Sequence, residues 1–133
     1  MTGAPHHLLV IDDEPFIARI VRMAFEKGPF HVSAVLDGRS GLEFIAEHRD
    51  VALVLLDLNM PGMSGVEMLA ALREDPALRD TPVMVLTAAG QAGQVERARE
   101  LGAAAIVTKP FSPKKLYREV ATHLGENPEP PDT

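Results

Sequence analysis

LLVIDDEP, residues 8–15, joins four apolar residues to three acidic residues and a proline. The apolar run has the length and composition of a buried strand. Directly after it come two adjacent carboxylates, Asp12 and Asp13, whose like charges repel each other when a fold holds them in one place. A cation or another opposing group is therefore expected beside them.

Strand-like apolar runs alternate along the chain with segments of helical periodicity. The five runs cover residues 8–11, 31–36, 51–56, 83–86 and 104–108. This alternation is the pattern of repeated βα units and predicts a parallel sheet with helices on both faces. The first, third and fourth runs are almost purely apolar, which is typical of interior strands. Polar His31 and Ser33 in the second run, and the shortness of the fifth, fit the two edges of the sheet.

Five helices are predicted from apolar residues at a spacing near 3.6. The first has an apolar face that runs from Phe16 to Phe25, and the last has one that includes Tyr117. Ser112 followed by Pro113 marks the start of the last helix. The other three helices are expected over residues 39–48, 64–74 and 92–101.

The length of 133 residues favours a single domain with its own core. We assign residues 1–125 to that domain. Residues 126–133, ENPEPPDT, are acidic and rich in proline, so they are predicted to form a disordered tail or the start of a linker. The content of 46% hydrophobic and 24% charged residues is typical of a globular protein.

The composition also excludes several classes of protein. The chain has no cysteine, which rules out disulfides, zinc-thiolate sites and thiol nucleophiles and makes the cytoplasm the default location. No apolar run approaches the roughly 18 residues that cross a bilayer, and the first residues do not resemble a signal peptide, so no membrane contact is expected. The net charge of -6 disfavours direct binding to nucleic acid.

Polar side chains follow four of the five predicted strands. They are Asp12 and Asp13 after the first strand, Asp57 after the third, Thr87 after the fourth and Lys109 after the fifth. In open α/β sheets ligands bind at the carboxyl ends of the strands, so these groups are expected to share one pocket. Three carboxylates there favour a hard divalent cation, and Mg²⁺ fits best because it is usually held by a few carboxylates together with phosphate oxygens.

A carboxylate beside such an ion can act as a nucleophile toward phosphorus and form an acyl phosphate. Asp57 is the better candidate, because it ends the most apolar strand and precedes a turn-forming stretch, LNMPGMSG. An ammonium group and a hydroxyl then stabilise the phosphoryl oxygens. In this interpretation Asp12 and Asp13 hold the metal.

Four motifs carry a family resemblance that covers residues 7–125. They are VIDDEP, LLDLNMPGMSG, VLTA and VTKPF, in this order along the chain. The sequence resembles the receiver domain of two-component response regulators, including single-domain receivers of the chemotaxis type. The resemblance implies a flavodoxin-like (βα)5 fold of three layers, with a parallel sheet of strand order 2-1-3-4-5.

The resemblance also implies roles for individual residues. Asp57 is expected to accept a phosphoryl group from a histidine kinase or a phosphotransfer protein, so the domain is a switch and not a turnover enzyme. The expected ligands of Mg²⁺, or of Mn²⁺ in its place, are Asp12, Asp13, Asp57 and the backbone carbonyl of Asn59. The residues expected to bind the phosphoryl group and to move with it are Thr87, Ala88 and Lys109.

Two further expectations come from the same resemblance. The Lys109–Pro110 peptide bond should be cis, and the surface formed by the fourth helix, fifth strand and fifth helix should meet a downstream protein partner. One position departs from the family pattern. Receivers usually carry Tyr or Phe three residues before the motif lysine, and this chain has Ile106 there. Any switch must therefore be expressed without that aromatic ring.

Three alternatives remain at this point. A haloacid-dehalogenase-like phosphatase needs a second acid two residues after its nucleophile, where this chain has Asn59. A flavodoxin-like nucleotide binder needs a phosphate-cradling loop after the first strand, where DDEP would repel phosphate. An unphosphorylated receiver relative that only binds proteins is favoured by Ile106 and opposed by the complete acceptor set. The five histidines are scattered and have no zinc-ligand spacing.

Overall fold

Five β-strands alternate with five α-helices in the computed structural model, which describes residues 5–131. The strands are β1 (His6–Ile11), β2 (Phe30–Val35), β3 (Val51–Asp57), β4 (Val83–Ala88) and β5 (Ala105–Lys109). The helices are α1 (Pro15–Phe25), α2 (Gly38–Glu47), α3 (Gly65–Glu74), α4 (Ala92–Glu100) and α5 (Pro113–His123). Every predicted element is present, with boundaries that differ from the predicted ones by at most two residues.

The five strands form one parallel sheet in the order β2-β1-β3-β4-β5, as the family resemblance implies. The predicted interior strands β1, β3 and β4 lie inside the sheet, and β2 and β5 form its edges. Because all strands run in the same direction, their carboxyl ends meet along one side of the sheet. That arrangement brings the residues after β1, β3, β4 and β5 together.

Successive residues of each interior strand pack into two different cores. In β1, Leu8 and Val10 face a core shared with α1 and α5, whereas Leu9 and Ile11 face a core shared with α2, α3 and α4. Side chains of a strand alternate between its two faces, so a strand covered by helices on both faces has no polar face. This explains the unbroken apolar runs that precede the acidic residues.

Side-chain caps fix the first residues of α3 and α5, the helices that follow β3 and β5. Ser64 caps α3 by accepting a hydrogen bond from the Glu67 backbone, and the Glu67 carboxylate accepts one in return from the Ser64 backbone. Ser112 caps α5 as predicted. The N-cap of α1 is Glu14, whose backbone N–H donates to Asp12 Oδ1 at 3.0 Å.

Phe16 was predicted to lie on the apolar face of α1, and the structure corrects this. Its side chain is 50% exposed, whereas Ile17 and Phe25 on the same helix are buried. Successive residues of an α-helix lie about 100° apart, so Phe16 falls outside the stripe that Ile17, Val21 and Phe25 form against the core. Phe16 instead borders a groove beside Lys109 and Phe111.

The chain continues past α5 into the segment predicted as a tail. Glu126 still contacts the domain, because its carboxylate Oε2 lies 2.8 Å from Nε2 of His6 and its backbone N–H donates to the Ala121 carbonyl. Residues 1–4 of the assigned domain, and residues 132 and 133 of the segment, lie outside the described residues. Within the described range, none of the helices combines the length and apolar character that crossing a membrane requires.

Candidate functional site

An acidic pocket lies at the carboxyl ends of β1 and β3. Asp12 and Asp13 directly follow β1, and Asp57 is the last residue of β3. Each of the three carboxylates offers an oxygen atom, and these oxygens all lie within 4.8 Å of one another. The fold therefore brings together the three acids that the sequence analysis assigned to a metal site.

Burial makes this concentration of charge costly. Asp57 is 4% exposed and Asp12 is 2% exposed. Burial, followed by the negative charge of Asp12, raises the pKa of Asp57 from 3.8 to about 6. Burial likewise raises the pKa of Asp12, although a hydrogen bond from Lys109 opposes the rise. A nearby cation would stabilise the charged forms of both carboxylates and lower their pKa values.

Lys109, at the end of β5, supplies a positive charge to the pocket. Its Nζ lies 2.7 Å from Asp12 Oδ2 and 3.5 Å from Asp57 Oδ1. Burial alone would lower the pKa of Lys109, but the hydrogen bond to Asp12 and the charges of Asp12 and Asp57 outweigh it and raise the pKa. The lysine therefore stays protonated between the two buried acids.

Glu14 is a residue of this pocket that the sequence analysis did not assign. Its Oε1 lies 3.2 Å from Lys109 Nζ, so Lys109 contacts three carboxylates. The motif DDEP contained a signal for it, because Glu14 follows the acidic pair immediately. Its side chain is 47% exposed, so it contributes a solvent-screened contact and not a buried one.

A turn between β3 and α3 shapes the pocket around Asp57. The backbone N–H of Asn59 donates to Asp57 Oδ1 at 3.3 Å. Gly65 begins α3 directly against the β3 backbone, where its N–H donates to the Leu58 carbonyl at 2.9 Å. A Cβ atom on Gly65 would overlap the Asp57 carbonyl oxygen, so only glycine permits this close approach.

The predicted residues of β4 lie in different surroundings. Ala88 is exposed and lines the same cavity, of about 280 Å³, as Asp13 and Asn59. Thr87 is 2% exposed, and its hydroxyl donates to the Ala88 carbonyl at 3.3 Å. The structure thus places Ala88 in the pocket and leaves the Thr87 hydroxyl on the neighbouring backbone.

The structure also gives the surroundings of two residues in and after β5 for which the sequence made predictions, Ile106 and Pro110. The Lys109–Pro110 peptide bond is cis. Ile106 is partly buried, pairs with Val85 of β4 and packs into the core formed with α2, α3 and α4. The aliphatic side chain at this position belongs to the core beneath α4 and not to the cavity around Asp57.

The chemistry of the pocket fits Mg²⁺. Its donors are carboxylate oxygens from Asp12, Asp13 and Asp57. Hard divalent cations prefer oxygen ligands of this kind, and Mg²⁺ leaves room in its coordination shell for water or phosphate oxygens. Two buried carboxylates of raised pKa would be stabilised by such an ion.

The comparison with protein families agrees with this geometry. The model of the response regulator receiver domain matches residues 8–121, a range that includes all four motifs and the pocket residues from Asp12 to Lys109. The chain belongs to the response regulator receiver domain family. It is therefore a signalling module of two-component systems, and receiver domains of this family usually bind Mg²⁺ at an acidic pocket.

Relatives of this receiver domain occur in longer regulators. The DNA-binding response regulator MtrA of Mycolicibacterium smegmatis is 36% identical over 124 residues, which make up 93% of this chain and 53% of MtrA. The transcriptional regulatory protein SrrA of Staphylococcus aureus is 33% identical over 119 residues, or 90% of this chain and 48% of SrrA. The chain spans about half the length of these curated relatives.

Solved structures of other receivers share the fold. The chemotaxis response regulator CheY4 of Vibrio cholerae matches with a TM-score of 0.79 and 27% identity, covering 87% of this chain and 96% of CheY4. The receiver domain of a signal transduction histidine kinase from Syntrophus aciditrophicus matches with a TM-score of 0.80 and 29% identity, covering 90% of both chains. The same receiver fold therefore operates in several protein contexts.

Proposed function

We propose that this receiver domain accepts a phosphoryl group on Asp57 from a histidine kinase or a phosphotransfer protein. The observation that supports the proposal most directly is the position of Lys109, whose Nζ reaches both Asp12 and Asp57 beside a third acid, Asp13. A buried carboxylate next to an ammonium group and a set of hard oxygen donors suits transfer of a highly charged group.

The proposed reaction uses one carboxylate oxygen of Asp57 as the nucleophile. That oxygen attacks phosphorus, the P–N bond to the donor histidine breaks, and a P–O bond forms an acyl phosphate. The released imidazole keeps the electron pair of the broken bond and takes up a proton. The hydrogen bond from Asn59 to Asp57 Oδ1 holds the carboxylate in a fixed orientation during this attack.

Asp12, Asp13, Asp57 and the Asn59 carbonyl would hold Mg²⁺, or Mn²⁺ in its place. When bound, the ion neutralises negative charge on the carboxylates and on the phosphoryl oxygens. Lys109, whose Nζ already lies between Asp12 and Asp57, would donate to the phosphoryl oxygens and offset their charge.

The output is proposed to be a changed protein-binding surface on α4, β5 and α5. Thr87 would leave the Ala88 carbonyl for a phosphoryl oxygen and shift the loop between β4 and α4. Ala98 is the one buried residue that α4 contributes in the described part of the chain, so this helix is lightly anchored. Because Ile106 replaces the usual aromatic residue, movement of α4 would carry the signal.

The experiment is incubation of the protein with Mg²⁺ and acetyl phosphate, followed by intact mass measurement. The wild type should gain the mass of one phosphoryl group, and Asp57→Asn should gain none. Asp80→Asn, which removes an exposed acid, is the matched control and should behave as the wild type.

A second measurement separates phosphorylation from simple binding. Beryllofluoride added with Mg²⁺ should shift the backbone amide resonances around Thr87 and α4 in the wild type. If Asp57→Asn gains the same mass and shows the same shifts, Asp57 is not the acceptor. An absence of both changes in the wild type would support the unphosphorylated receiver alternative.

A further inference from the structure

A second cluster of metal-ligating side chains lies at the opposite ends of the strands from Asp57. It consists of His7 in β1, His31 in β2 and Asp50, which directly precedes β3. His7 and His31 are register partners in the β1–β2 pair. Each of the three residues offers one ligand atom, and these atoms all lie within 4.8 Å of one another. The sheet register therefore assembles residues that are far apart in the sequence.

His7 is the fixed member of the His7–His31–Asp50 cluster. It is 5% exposed, its Nε2 lies 2.8 Å from Ser33 Oγ, and its Nδ1 lies 3.0 Å from Asp50 Oδ2. A histidine that ligates a metal through one nitrogen usually has its other nitrogen held by a hydrogen-bond acceptor, which fixes the ring orientation. In this structure Nδ1 donates to the Asp50 carboxylate, so binding of an ion at Nδ1 would move the ring proton to Nε2, where Ser33 Oγ can accept it.

The spacing of the cluster is close to that of a tetrahedral metal site. Bonds of about 2.0 to 2.2 Å place neighbouring ligand atoms about 3.4 Å apart. The 3.0 Å between His7 and Asp50 needs to widen by only a few tenths, and the Asp50 side chain is 66% exposed and able to withdraw. The exposed His31 ring stacks on His7 with centroids 4.1 Å apart, and rotation about its side-chain bonds can aim a nitrogen at the same point.

The ligand types select the class of ion. Two imidazoles and one carboxylate suit Zn²⁺ and related divalent transition metals, whereas Mg²⁺ prefers a shell of oxygen atoms. The rings of Phe44 and His48 lie beside the cluster, stacked on each other at 3.9 Å and each in a T-shaped arrangement with His7. The donor set therefore differs in kind from the acidic pocket around Asp57.

We propose that His7, His31 and Asp50 bind one Zn²⁺ ion or a similar divalent transition metal ion, with water completing the coordination. In the bound state Nδ1 of His7 would ligate the ion, and the ring proton on Nε2 would donate to Ser33 Oγ. The bound ion joins β1 and β2 to the residue before β3. The proposal does not depend on phosphorylation of Asp57.

The test is titration of the full, untagged chain with Zn²⁺ by calorimetry in the presence of excess Mg²⁺, added to compete for the acidic pocket. The wild type should bind one ion per chain. His31→Gln and Asp50→Asn, which change exposed side chains, should each weaken binding by about tenfold or more. His123→Gln removes an exposed histidine on α5 and should leave the affinity within about twofold of the wild type.

Co²⁺ provides a spectroscopic check of the same site. Tetrahedral coordination of Co²⁺ should produce strong visible absorption in the wild type and in Asp57→Asn, and this absorption should be lost in His31→Gln. The proposal is overturned if His31→Gln binds Zn²⁺ as tightly as the wild type does. It is also overturned if Asp13→Asn, and not Asp50→Asn, abolishes Zn²⁺ binding, because the ion would then occupy the acidic pocket.

Discussion

Lys109 Nζ lies 2.7 Å from Asp12 Oδ2 but 3.5 Å from Asp57 Oδ1, so the cation of this receiver is bound mainly by Asp12 and only secondarily by Asp57. Asp12 is the more deeply buried of the two acids, and a buried carboxylate gains more from a hydrogen-bonded cation than an accessible one does. Asp57 is left with a pKa raised to about 6 and without a short contact to a positive charge. That asymmetry determines the behaviour expected of several variants.

Lys109→Ala should destabilise the protein in the presence of a metal chelator, because Asp12 and Asp57 lose the cation that opposes their repulsion. We expect the free energy of unfolding to fall by about 1 to 3 kcal/mol, measured by urea denaturation. Lys115→Ala removes an exposed lysine of α5 and is the control. In the Lys109 variant beryllofluoride should no longer shift the amide resonances near Thr87, and an unchanged shift would remove Lys109 from the switch.

Asp57→Asn should stabilise the metal-free protein at neutral pH. The pKa of Asp57 is higher in the folded chain, about 6, than its ordinary value of 3.8, so the native state binds the proton more tightly than the unfolded state. The stability of the wild type therefore decreases as the pH rises from about 4 through 6, and the loss is complete above that range. Asparagine carries no charge, so this contribution to the stability of the variant does not fall over this pH range.

The stability difference between Asp57→Asn and the wild type should grow from near zero at about pH 4 to roughly 1 to 3 kcal/mol at about pH 7.5. Urea unfolding with a chelator over this pH range measures it. Addition of Mg²⁺ should remove most of the difference by stabilising the wild type. Parallel pH profiles for the two proteins would show that Asp57 is not destabilised by its surroundings.

Gly65→Ala should displace the loop that carries Asp57. The added methyl group would overlap backbone atoms of Asp57 and Leu58, which cannot move aside as a flexible side chain can. We expect a loss of about 1 to 3 kcal/mol and slower phosphorylation by acetyl phosphate. Gly93→Ala is the matched control, because a Cβ there meets no neighbouring atom and alanine favours the helix α4. Equal stabilities of the two variants would contradict the close packing at Gly65.

Arg73 of α3 should stabilise the region around the end of α4 and the loop before β4. Its guanidinium donates hydrogen bonds to the carbonyl groups of Leu101 at 2.7 Å, Thr81 at 2.7 Å and Arg79 at 2.9 Å, joining the end of α4 to the loop before β4. Arg73→Ala should lower the free energy of unfolding by about 2 to 3 kcal/mol, since it leaves these acceptors without a donor. Arg73→Lys should recover little of the lost stability, because lysine lacks the planar set of donors that the guanidinium group provides.

Hydrogen exchange provides a local measurement for Arg73. In Arg73→Ala the amides that follow α4, at residues 101–104, should exchange faster than in the wild type. Arg79→Ala is the control, because the exposed Arg79 side chain can be removed while its backbone carbonyl still accepts from Arg73. Exchange rates that do not differ between these variants would show that Arg73 does not anchor the turn.

Much of the fold and the family followed from local features of the sequence. Apolar runs predicted the interior strands β1, β3 and β4, because a strand buried on both faces cannot carry polar residues. The polar residues after those runs predicted one shared pocket, because parallel strands end on the same side of the sheet. Asp12, Asp13, Asp57 and Lys109 do lie together there.

Other features depend on distances between side chains, which the spacing of apolar residues in the sequence does not specify. The preference of Lys109 for Asp12, and its contact with Glu14, arise from side-chain positions within the pocket. The exposure of Phe16 reflects how α1 is rotated on the sheet, which the apolar pattern left undetermined between two adjacent residues.

The histidines show most clearly which features the sequence determines and which depend on the tertiary structure. The sequence contains His7, His31 and Asp50 at spacings that suggest no common site, and only the register between β1 and β2 places the two rings in contact. The order of the elements and the chemical nature of the acidic pocket were determined by the sequence itself, because they depend on which residues are apolar and where strands end. Which charges pair and which rings meet was decided by the tertiary structure, because those contacts depend on sub-ångström positions set by the packing of the whole domain.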